Sequence, residues 1–395
     1  MQVLIDLTQV PVGRMGIGSY AENLLNQFRE VAPDISFTVA LQSDDPALRA
    51  AIPDRVRTLQ FPARFFRWLP GRLFFEQLIL PWLARRYRVD VIHSLHYSLP
   101  LLPTRARRVV TMHDMTAYVL PHMHPWFKGA YMRVFIRQAV RHADRLIFVS
   151  SSALADCRKW FGLPLENAVV IHHGNSEAFR PGGAPEALAE VRARYGLPPV
   201  YLLYLGTLEP RKNIPLLLRA FAQLAEAHPD ARLVIAGKKG WYFDEIFHTV
   251  EALNLADRVI FTGYVDEAEK PALIRGAFLF LYPSLHEGFG VPVLEAMACG
   301  VPTIAGNRTS IPEIAGDGAL LVDPESLPGL AAALEHLYTD AAARSALVAR
   351  GLAQSAKFSW KKTAEETAAV YRETANTRET AKTRNTEPAK PYVKL

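Results

Sequence analysis

The chain has little cysteine: only Cys157 and Cys299 occur among 395 residues, and neither belongs to a spacing that binds a metal. A disulfide framework is therefore excluded, and the scarcity of cysteine favours a reducing, cytoplasmic setting. No uninterrupted apolar run reaches the roughly 18 residues of a membrane-spanning helix. The sequence opens on an apolar strand pattern instead of the basic and apolar regions of a signal peptide, so we expect no secretory leader.

Basic residues only slightly outnumber acidic residues: the chain has 45 Lys and Arg residues and 39 Asp and Glu residues. A basic excess suits nucleic acid, anionic lipid or a phosphorylated substrate. No zinc-finger, RNA-recognition or helix-turn-helix signature accompanies it, which disfavours nucleic acid as a partner. Several histidines lie near different predicted elements, with neither a cysteine partner nor a His-x3-His helix, so we predict no metal site. They are His93, His96, His122 and His124.

Apolar strand patterns alternate with amphipathic helix patterns throughout, which is typical of doubly wound α/β domains, and the length suits two of them. The predicted strands of the first half are Val3–Leu7, Phe37–Leu41, Val89–Ser94, Arg108–Met112 and Leu146–Ser150. Those of the second half are Val200–Leu205, Arg232–Ala236, Val259–Thr262, Ala277–Tyr282, Thr303–Ala305 and Ala319–Val322. The join between the two domains is predicted between Phe179 and Leu197, where proline and glycine cluster at 181–185.

Residues 283–302 form the most informative segment. An apolar strand ending at Tyr282 runs into a glycine-rich loop, and the loop into a short helix with Pro292 near its start. Glu287 lies in the loop and Glu295 about one turn inside the helix. Backbone N–H groups at a helix amino terminus favour anions. Together with two carboxylates they suit a ligand with phosphate and sugar hydroxyls; the alternative is an ordinary strand–loop–helix unit with two solvated glutamates.

A second loop, within Leu203–Asn213, carries two adjacent cations. The strand ends at Gly206, and Arg211 and Lys212 follow before a helix that begins near Ile214. Ligands of α/β folds bind at the carboxyl ends of the strands, where two fixed cations can stabilise a departing diphosphate. A solvated Arg-Lys pair is the alternative interpretation.

Two more strand ends carry candidate residues. Near the amino terminus, Gly16 and Gly18 lie in the segment Gly13–Tyr20 beside a helix start, which lets a ligand approach the backbone closely. A tight turn is the alternative there. His113 follows the strand that ends at Met112, and is either a site residue or a core histidine bonded to a backbone carbonyl.

Residues 284–302, Ser-Leu-His-Glu-Gly-Phe-Gly-Val-Pro-Val-Leu-Glu-Ala-Met-Ala-Cys-Gly-Val-Pro, resemble the Glu-x7-Glu signature of glycosyltransferase family 4. Leu-Gly-Thr-Leu-Glu-Pro-Arg-Lys-Asn at 205–213 is similar to the diphosphate-binding loop of that family, and Thr111–Asp114 resembles its His-Asp pair. The resemblance covers about residues 1–373. It is incomplete near the amino terminus, where Met15 and Ser19 occupy two places of a Gly-Gly-Ile-Gly-Arg-Tyr-like loop.

The resemblance implies the GT-B fold, in which two Rossmann-like domains face each other across a cleft and a carboxyl-terminal helix crosses back to the first. We therefore expect an acceptor-binding domain at 1–180 and a nucleotide-sugar-binding domain at 181–357. A crossover helix is expected at 358–375. Residues 376–395 are polar, with almost no apolar content, and are expected to form a disordered tail.

The resemblance also implies roles for individual residues. Glu287 would contact the donor sugar and Glu295 the ribose, while the two cations would bind the diphosphate and His113 would face the sugar across the cleft. The implied catalytic residues are Glu287, Arg211, Lys212 and His113. The implied nucleotide-sugar-binding residues are Gly16, Gly18, Gly206, Tyr264, Val265, Gly288, Phe289, Gly290 and Glu295.

The implied activity is retaining transfer of a hexose to a saccharide or lipid-linked saccharide in cell-surface polysaccharide synthesis. The loop at 205–213 together with Ala-Gly-Lys-Lys-Gly-Trp at 236–241 resembles the mannosyltransferase branch, which points to GDP-mannose as donor. The chain has no Asp-x-Asp pair, the motif that holds Mg²⁺ or Mn²⁺ in glycosyltransferases of the other major fold, so we expect neither metal nor cofactor. The alternatives are a glucosyltransferase or synthase using UDP- or ADP-glucose, and a non-catalytic sugar-nucleotide-binding protein.

A stretch from Arg64 to Arg88 mixes aromatic residues with arginines, a composition that suits a membrane interface or a lipid-linked acceptor. Pro81 and the Pro-Gly pair at 70–71 interrupt it, so it is not one long amphipathic helix. The alternative is a helix whose apolar face joins the core. The sequence thus predicts a cytoplasmic protein, with peripheral association at the inner face of the membrane under the first interpretation.

Overall fold

The computed structural model describes residues 1–8, 16–54, 56–66 and 68–384. These residues form two parallel β-sheets with helices packed against them, so the predicted architecture of two doubly wound domains is confirmed. Gly13, Met15 and the other residues of the predicted amino-terminal loop before Gly16 lie outside the described residues.

The first domain contains a sheet of seven parallel strands in the order β3-β2-β1-β4-β5-β6-β7. Its strands are β1 (Gln2–Asp6), β2 (Ser36–Gln42), β3 (Arg57–Phe61), β4 (Val91–Ser94), β5 (Arg107–Met112), β6 (Arg145–Phe148) and β7 (Ala168–Val170). Its helices are α1 (Ile17–Val31), α2 (Pro46–Ala51), α3 (Leu69–Phe74), α4 (Leu80–Arg86), α5 (Thr116–Val119), α6 (Trp126–His142) and α7 (Ser151–Phe161). A π-helical turn, Phe75–Ile79, joins α3 to α4, and 3₁₀ turns occupy Ala63–Phe65 and Pro121–Met123.

The second domain contains a sheet of six parallel strands in the order β10-β9-β8-β11-β12-β13. Its strands are β8 (Leu202–Leu205), β9 (Leu233–Ala236), β10 (Val259–Gly263), β11 (Leu279–Tyr282), β12 (Thr303–Gly306) and β13 (Leu320–Val322). Its helices are α8 (Pro185–Tyr195), α9 (Ile214–Ala227), α10 (Asp244–Ala252), α11 (Lys270–Arg275), α12 (Val291–Ala298), α13 (Ile311–Ala315), α14 (Leu327–Thr339) and α15 (Ala341–Ser355). Pro210–Lys212 forms a 3₁₀ turn.

The burial of each strand explains why the sequence analysis predicted some strands and missed others. The strands β8, β9 and β11 are continuous apolar runs whose residues are all buried, as expected where helices cover both faces of a parallel sheet. The sequence analysis missed β3 and β7, which lie at the two edges of the first sheet. β3 is half-polar and partly exposed, and β7 is an apolar run of only three partly buried residues, which is short for a strand.

Each sheet has one position where the strand order reverses. In the first sheet it lies between β1 and β4, and in the second between β8 and β11. Ligands of doubly wound sheets bind outside the carboxyl ends of the strands at this switch point. The loops that follow β8 and β11 contain Arg211, Lys212 and Glu287, so the fold brings these three residues to one place.

The last helix, α16 (Trp360–Arg384), packs against α1 and thus crosses back to the first domain, which confirms that part of the prediction. The Tyr371 hydroxyl lies 2.6 Å from His93 Nδ1, and Arg372 forms a 2.6 Å ion pair with Asp34. The helix continues to Arg384, nine residues past the predicted end at 375, because extending a packed helix requires no new nucleation. The rest of the predicted disordered tail, 385–395, lies outside the described residues.

Both cysteines, Cys157 and Cys299, are buried and unpaired. Within the part of the chain that the structure describes, no helix has the length and apolar character needed to cross a membrane. The aromatic and arginine-rich stretch forms the 3₁₀ turn Ala63–Phe65 and then α3, the π-helical turn and α4. The prolines and the glycine that interrupt its pattern therefore lie near element starts, as proline usually does.

Candidate functional site

The loops after β8 and β11 are tied together at the switch point of the second sheet. The Leu285 N–H donates to the Arg211 carbonyl over 2.8 Å, and the Ser284 hydroxyl oxygen lies 3.1 Å from the same carbonyl oxygen. Since both loops leave neighbouring parallel strands, their side chains meet at one edge of the sheet. This is the edge that faces the first domain.

Glu287 is the centre of the cluster, and both its carboxylate oxygens are occupied. Oε1 accepts hydrogen bonds from Lys212 Nζ and from the Ser284 hydroxyl, each at 2.6 Å. Oε2 accepts from Arg211 at 2.8 Å. Burial alone would raise the pKa of this carboxyl, but the charges of Arg211 and Lys212 outweigh it and hold the pKa well below its usual range. Glu287 is therefore ionised at neutral pH.

The two cations differ in their surroundings. Lys212 is buried and also donates to the Tyr282 hydroxyl at 2.6 Å; burial and the neighbouring Arg211 lower its pKa. Arg211 also pairs with Glu209 at 2.7 Å. Burial opposes its charge, but Glu287 and Glu209 keep its pKa well above the ordinary value. The cluster thus holds two cations and two carboxylates in a largely dry site, where charges act strongly on each other.

Glu209 is a site residue that the sequence analysis missed, although it stands in the same string as Arg211. It is almost fully buried and pairs with the Arg211 guanidinium. The sequence feature that could have identified Glu209 is its position two residues before Arg211. The carboxylates of Glu209 and Glu287 accept hydrogen bonds from N–H groups of Arg211 and Lys212 that a diphosphate would also bind. They therefore hold the cations in place and compete with an anionic ligand.

The glycine-rich loop before α12 presents free backbone donors. The N–H groups of Gly288, Phe289 and Gly290 donate no hydrogen bond to any residue of the described ranges. Gly290 has φ of 101°, a left-handed conformation that favours glycine, and stands at the start of α12. The Ser310 hydroxyl lies within hydrogen-bond distance of the carbonyls of Glu287 and Phe289, which share its one proton, and it fixes the loop. The loop therefore has the donors that a phosphate requires.

Across the cleft, His113 lies directly against this loop. A Cβ added to Gly288 would overlap the His113 carbonyl oxygen, so the two backbones are in close contact. The Ser150 hydroxyl, at the start of α7, donates to the Gly288 carbonyl at 2.6 Å. The predicted juxtaposition of His113 with the Glu287 loop is therefore present, and glycine at 288 makes it possible.

The His113 ring itself is turned toward its own domain. Its Nε2 lies 2.9 Å from the Leu95 carbonyl, which can only accept, so Nε2 carries the proton. Burial lowers the pKa of His113, which keeps the imidazole neutral. Its neighbour Asp114 is ionised: burial opposes the charge, but Arg211 and the Thr116 hydrogen bonds lower the pKa below the ordinary value. Asp114 thus links the first domain electrostatically to Arg211.

Glu295 lies apart from the cluster. In the described structure no hydrogen bond joins it to Glu287, Arg211 or Lys212, and its charged neighbours are Lys270 and Glu267. Burial raises the pKa of Glu295 to about 8, and Lys270 only partly offsets this. The carboxyl is therefore mostly protonated at neutral pH.

The remaining predicted binding residues lie at the ends of strands or the start of a helix. Gly206 follows β8, and Gly16, with φ of 59°, precedes α1 in a position where a Cβ would meet nothing. Gly18 is buried in the first turn of α1. After β10, Tyr264 is exposed whereas the Val265 side chain is buried. The Val265 side chain is therefore not open to a ligand.

The Phe289 side chain packs between the domains. It is buried and stacks on His173 with ring centroids 4.7 Å apart, beside Tyr20 and Trp360. The Phe289 side chain is therefore not open to a ligand, and its predicted contact with a ligand through the backbone stays a prediction.

Three further side chains, which the sequence did not indicate, join the domains around the site through four hydrogen bonds. Glu313 accepts from the Ser151 N–H and from His172 Nε2, at 3.0 and 2.6 Å. His286 Nε2 lies 3.0 Å from Asp156 Oδ2. Trp241 Nε1 donates to the Met123 carbonyl at 2.5 Å. Each joins residues more than 100 positions apart, so no local pattern could reveal it.

A second buried polar cluster, also missed, lies in the first domain. Asp6 Oδ1 accepts two hydrogen bonds from Thr8, while its Oδ2 has no partner among the described residues. Glu76, in the π-helical turn, is only 1% exposed. Burial raises its pKa to about 8, and the charge of Asp6 adds to the rise. π-Helical turns often occur at functional sites.

Among the described residues, no group of three or more His, Cys, Asp or Glu side chains is arranged to hold a metal ion. His93, one of the four histidines considered above, is held between the hydroxyls of Tyr371 and Thr111 at 2.6 and 2.8 Å. Burial lowers its pKa to about 3, so it is a neutral core residue.

Comparison with known families covers both domains. The family "Glycosyl transferases group 1" matches residues 190–354, and "Glycosyltransferase Family 4" matches residues 15–179. The first match contains the two loops that carry Arg211, Lys212 and Glu287, and the second contains His113.

Individual relatives agree with these matches. O-antigen chain mannosyltransferase B of Escherichia coli is 34% identical over 293 residues, which cover 74% of this chain and 76% of that protein. Serotype-specific mannosyltransferase WbdA of Escherichia coli is 32% identical over 281 residues, which are 69% of this chain but only 34% of WbdA. Sucrose-phosphate synthase of Thermosynechococcus elongatus shares the fold, with a TM-score of 0.74 and 23% identity over 94% of this chain and 98% of that one.

Proposed function

The chain belongs to glycosyltransferase family 4, and from this premise we propose that it transfers mannose from GDP-mannose. The acceptor in this proposal is a saccharide or lipid-linked saccharide of a growing cell-surface polysaccharide. The choice of mannose is supported by the 34% identity with O-antigen chain mannosyltransferase B over three quarters of both chains. WbdA, a mannosyltransferase of which this chain spans about a third, supports the same choice.

The observation that carries the proposal is the Arg211–Lys212–Glu287 cluster beside the free amides of the loop 288–290. The cations and amides suit the diphosphate of a nucleotide sugar, and Glu287 suits hydroxyls of the sugar. Fixed charges at the place where negative charge develops lower the barrier most, because they need no reorganisation. Arg211 and Lys212 therefore stabilise the departing diphosphate.

The proposed reaction is front-face displacement with retention at the anomeric carbon. The bond from sugar C1 to the diphosphate oxygen breaks, the acceptor hydroxyl oxygen bonds to C1 on the same face, and its proton goes to the departing diphosphate. Both oxygens of Glu287 are held by Lys212, Ser284 and Arg211, which makes this carboxylate a poor nucleophile. Glu287 orients the sugar in this scheme, and no covalent sugar–enzyme intermediate forms.

Donor choice is tested by incubating the protein with GDP-mannose, UDP-glucose or ADP-glucose and a mannose oligosaccharide acceptor. We expect transfer from GDP-mannose, with release of GDP, and an axial product linkage in the NMR coupling of the new anomeric centre. GDP should also raise the thermal stability; a ligand at 100 times its dissociation constant stabilises by about 2.7 kcal/mol. Lys212→Ala is the inactive control.

Other outcomes reject the proposal in distinct ways. Transfer from UDP- or ADP-glucose, and none from GDP-mannose, would make the protein a glucosyltransferase. Stabilisation by a sugar nucleotide without transfer or hydrolysis would make it a binding protein. We also propose that transfer needs no divalent metal, since the chain has no Asp-x-Asp pair. Activity that EDTA abolishes and Mg²⁺ or Mn²⁺ restores would contradict this last point.

A further inference from the structure

A cavity of about 530 Å³ lies in the first domain, far from the candidate site. It opens at the amino-terminal edge of the sheet, where Gln2 begins β1 and Arg57 begins β3, whereas the site lies at the carboxyl edge. Its wall includes Arg57, Arg86 and Arg88 together with Tyr87. The function proposed above uses none of these residues.

The cavity is basic, with three arginines in its wall. In the described part of the chain, no carboxylate lies within ion-pair distance of Arg57, Arg86 or Arg88. The carboxylate of the nearby Asp90 accepts instead from the Gln2 N–H at 2.8 Å. Three unpaired guanidinium groups around one cavity favour an anion, and a phosphate group best matches their geometry.

Arg57 comes from β3, whereas Arg86 ends α4 and Arg88 lies two residues beyond it, and all three side chains are exposed. The Arg57 and Arg86 guanidinium groups lie 5.0 and 5.6 Å from the centre of the Tyr87 ring, within the range of cation–π contacts. Arg88 has φ of 51°, which is uncommon for a residue other than glycine. Arg86 also offsets the negative end of the α4 dipole, but Arg57 is in a strand and Arg88 lies beyond the helix. The dipole therefore does not account for the cluster.

An exposed apolar stripe leads to this cavity along the same helix. Phe74, Leu78 and Trp82 follow one another at intervals of four residues and are 50%, 48% and 58% exposed. Arg86 continues the same spacing one turn later, so the stripe ends at the cavity. The opposite face of the helix, with Phe75, Leu80 and Leu83, is buried, so the core interpretation of the stretch 64–88 does not explain the stripe.

We propose that this surface docks on an anionic lipid bilayer. The phosphate of a lipid headgroup enters the Arg57–Arg86–Arg88 cavity, and the stripe of Phe74, Leu78 and Trp82 lies in the boundary between headgroups and acyl chains. Exposed Trp and Phe beside arginines have the amphipathic character that this boundary requires. A soluble anion would explain the cavity alone, whereas a bilayer explains the cavity and the adjoining stripe together.

The docking would also orient the cleft. A helix between two parallel strands runs antiparallel to them, so α3 begins near the carboxyl edge of the sheet and α4 ends near the cavity. The stripe thus extends from the side of the cleft to the far edge of the domain. A lipid-linked acceptor would reach the site from the same membrane. The docking itself does not depend on the identity of the sugar donor.

The test is sedimentation of the full chain with vesicles of phosphatidylglycerol or of phosphatidylcholine, at low and high salt. We expect binding to phosphatidylglycerol vesicles that weakens steeply with salt. The triple variant Arg57→Gln, Arg86→Gln, Arg88→Asn should bind about 100-fold more weakly, since each basic residue at an anionic surface contributes about fivefold. Asn at 88 tolerates the positive φ. Leu78→Ser with Trp82→Ser should weaken binding by at least tenfold while the arginines remain.

The control variant Arg219→Gln, Arg350→Gln, Lys361→Gln removes the same charge from other exposed positions and should bind like wild type. Circular dichroism and transfer to a soluble acceptor should be unchanged in all variants, which separates docking from folding and from the sugar-transfer proposal. Wild-type protein that stays in the supernatant at low salt would overturn the inference. So would equal loss in the control, stabilisation by inorganic phosphate without vesicle binding, or a dimer that buries the stripe without vesicle binding.

Discussion

Lys212 and Glu287 form an ion pair in which Nζ lies 2.6 Å from Oε1, with only 6% and 7% of their side chains exposed. They are 75 residues apart in the chain, and the pairing of β8 with β11 brings them together. A buried charge without its partner is costly, so each residue depends on the other for its ionised state. The pair thus connects the stability of the second domain to its chemistry.

The first prediction concerns the two cations. Lys212→Ala or Arg211→Ala should lower turnover at saturating donor by about 10²–10³, the scale for losing one preorganised charge-stabilising group. Each variant leaves one cation bound to Glu287. The free energy of unfolding should therefore fall by no more than about 3 kcal/mol, the lower end of the range for breaking a buried ion pair. Steady-state kinetics and urea unfolding measure the two effects. Lys361→Ala, on the exposed start of α16, is the control. Turnover near wild type in both variants would remove the cations from the site.

The second prediction separates the two glutamates. Glu287→Gln should damage transfer while GDP binding stays the same or tightens, because the variant removes a carboxylate that competes for the cations. Glu295→Gln should weaken GDP binding itself, since an amide replaces the carboxyl assigned to the ribose. Calorimetry with GDP on both variants decides the matter, and an equal loss of GDP affinity would reject this division of roles.

The raised pKa of Glu295 adds a pH dependence to this prediction. Its folded value is about 8, so the carboxyl ionises between pH 7 and 9. GDP affinity of wild type should then rise over this interval by up to about tenfold, because the ribose hydroxyls favour the ionised form. The rise should be missing from Glu295→Gln. The same rise in that variant would assign the pH dependence to another group.

The sequence revealed those parts of the site that follow directly from a strand. Arg211, Lys212 and Glu287 each come shortly after a fully buried apolar run, and ligands gather where such runs end. That both cations bind Glu287 was not predictable, because it depends on β8 and β11 being neighbours. The Asp6–Glu76 cluster was missed for the same reason: two isolated acids 70 positions apart carry no local signal.

Edges and ends of elements were the least predictable features of the fold. β3 is partly exposed and half-polar, and β7 is apolar but only three residues long, so neither sequence shows an apolar run of ordinary strand length. The polar residues after 375 show no apolar period, yet α16 continues through them to Arg384 because the packed helix before them is already formed. Composition alone therefore placed the end of the helix too early.

The third prediction tests the close contact of the domains. Gly288→Ala places a methyl group on the His113 carbonyl oxygen and so pushes the loop away from the first domain. A misplacement of about 1 Å at reacting groups can reduce the rate about 100-fold, and we expect a loss of this size in turnover with GDP binding retained. Gly129→Ala in α6 is the matched control, since its new methyl group would meet mainly the flexible end of Arg133. Full activity of Gly288→Ala would show that the contact is unnecessary for transfer.

The last prediction uses the buried carboxyl of Glu76. Burial and the nearby Asp6 raise its folded pKa to about 8, from an ordinary value of 4.5, so the folded protein binds this proton more tightly than the unfolded chain. Stability from this group is complete below pH 4.5 and is lost as the pH rises to about 8. A shift of this size corresponds to an upper limit of about 5 kcal/mol, at 1.36 kcal/mol for each pKa unit.

Glu76→Gln cannot ionise, and its amide oxygen can still accept the hydrogen bond from Gln77. We therefore expect wild type to lose stability relative to this variant between pH 5 and 9, with the variant the more stable at pH 9. Urea unfolding at pH 5, 7 and 9 measures the difference, and Glu226→Gln on the exposed side of α9 serves as the control. The difference in the free energy of unfolding between wild type and Glu76→Gln could also stay constant over this pH range. That result would mean that Glu76 is already ionised in the folded protein, with a cation or water compensating its charge.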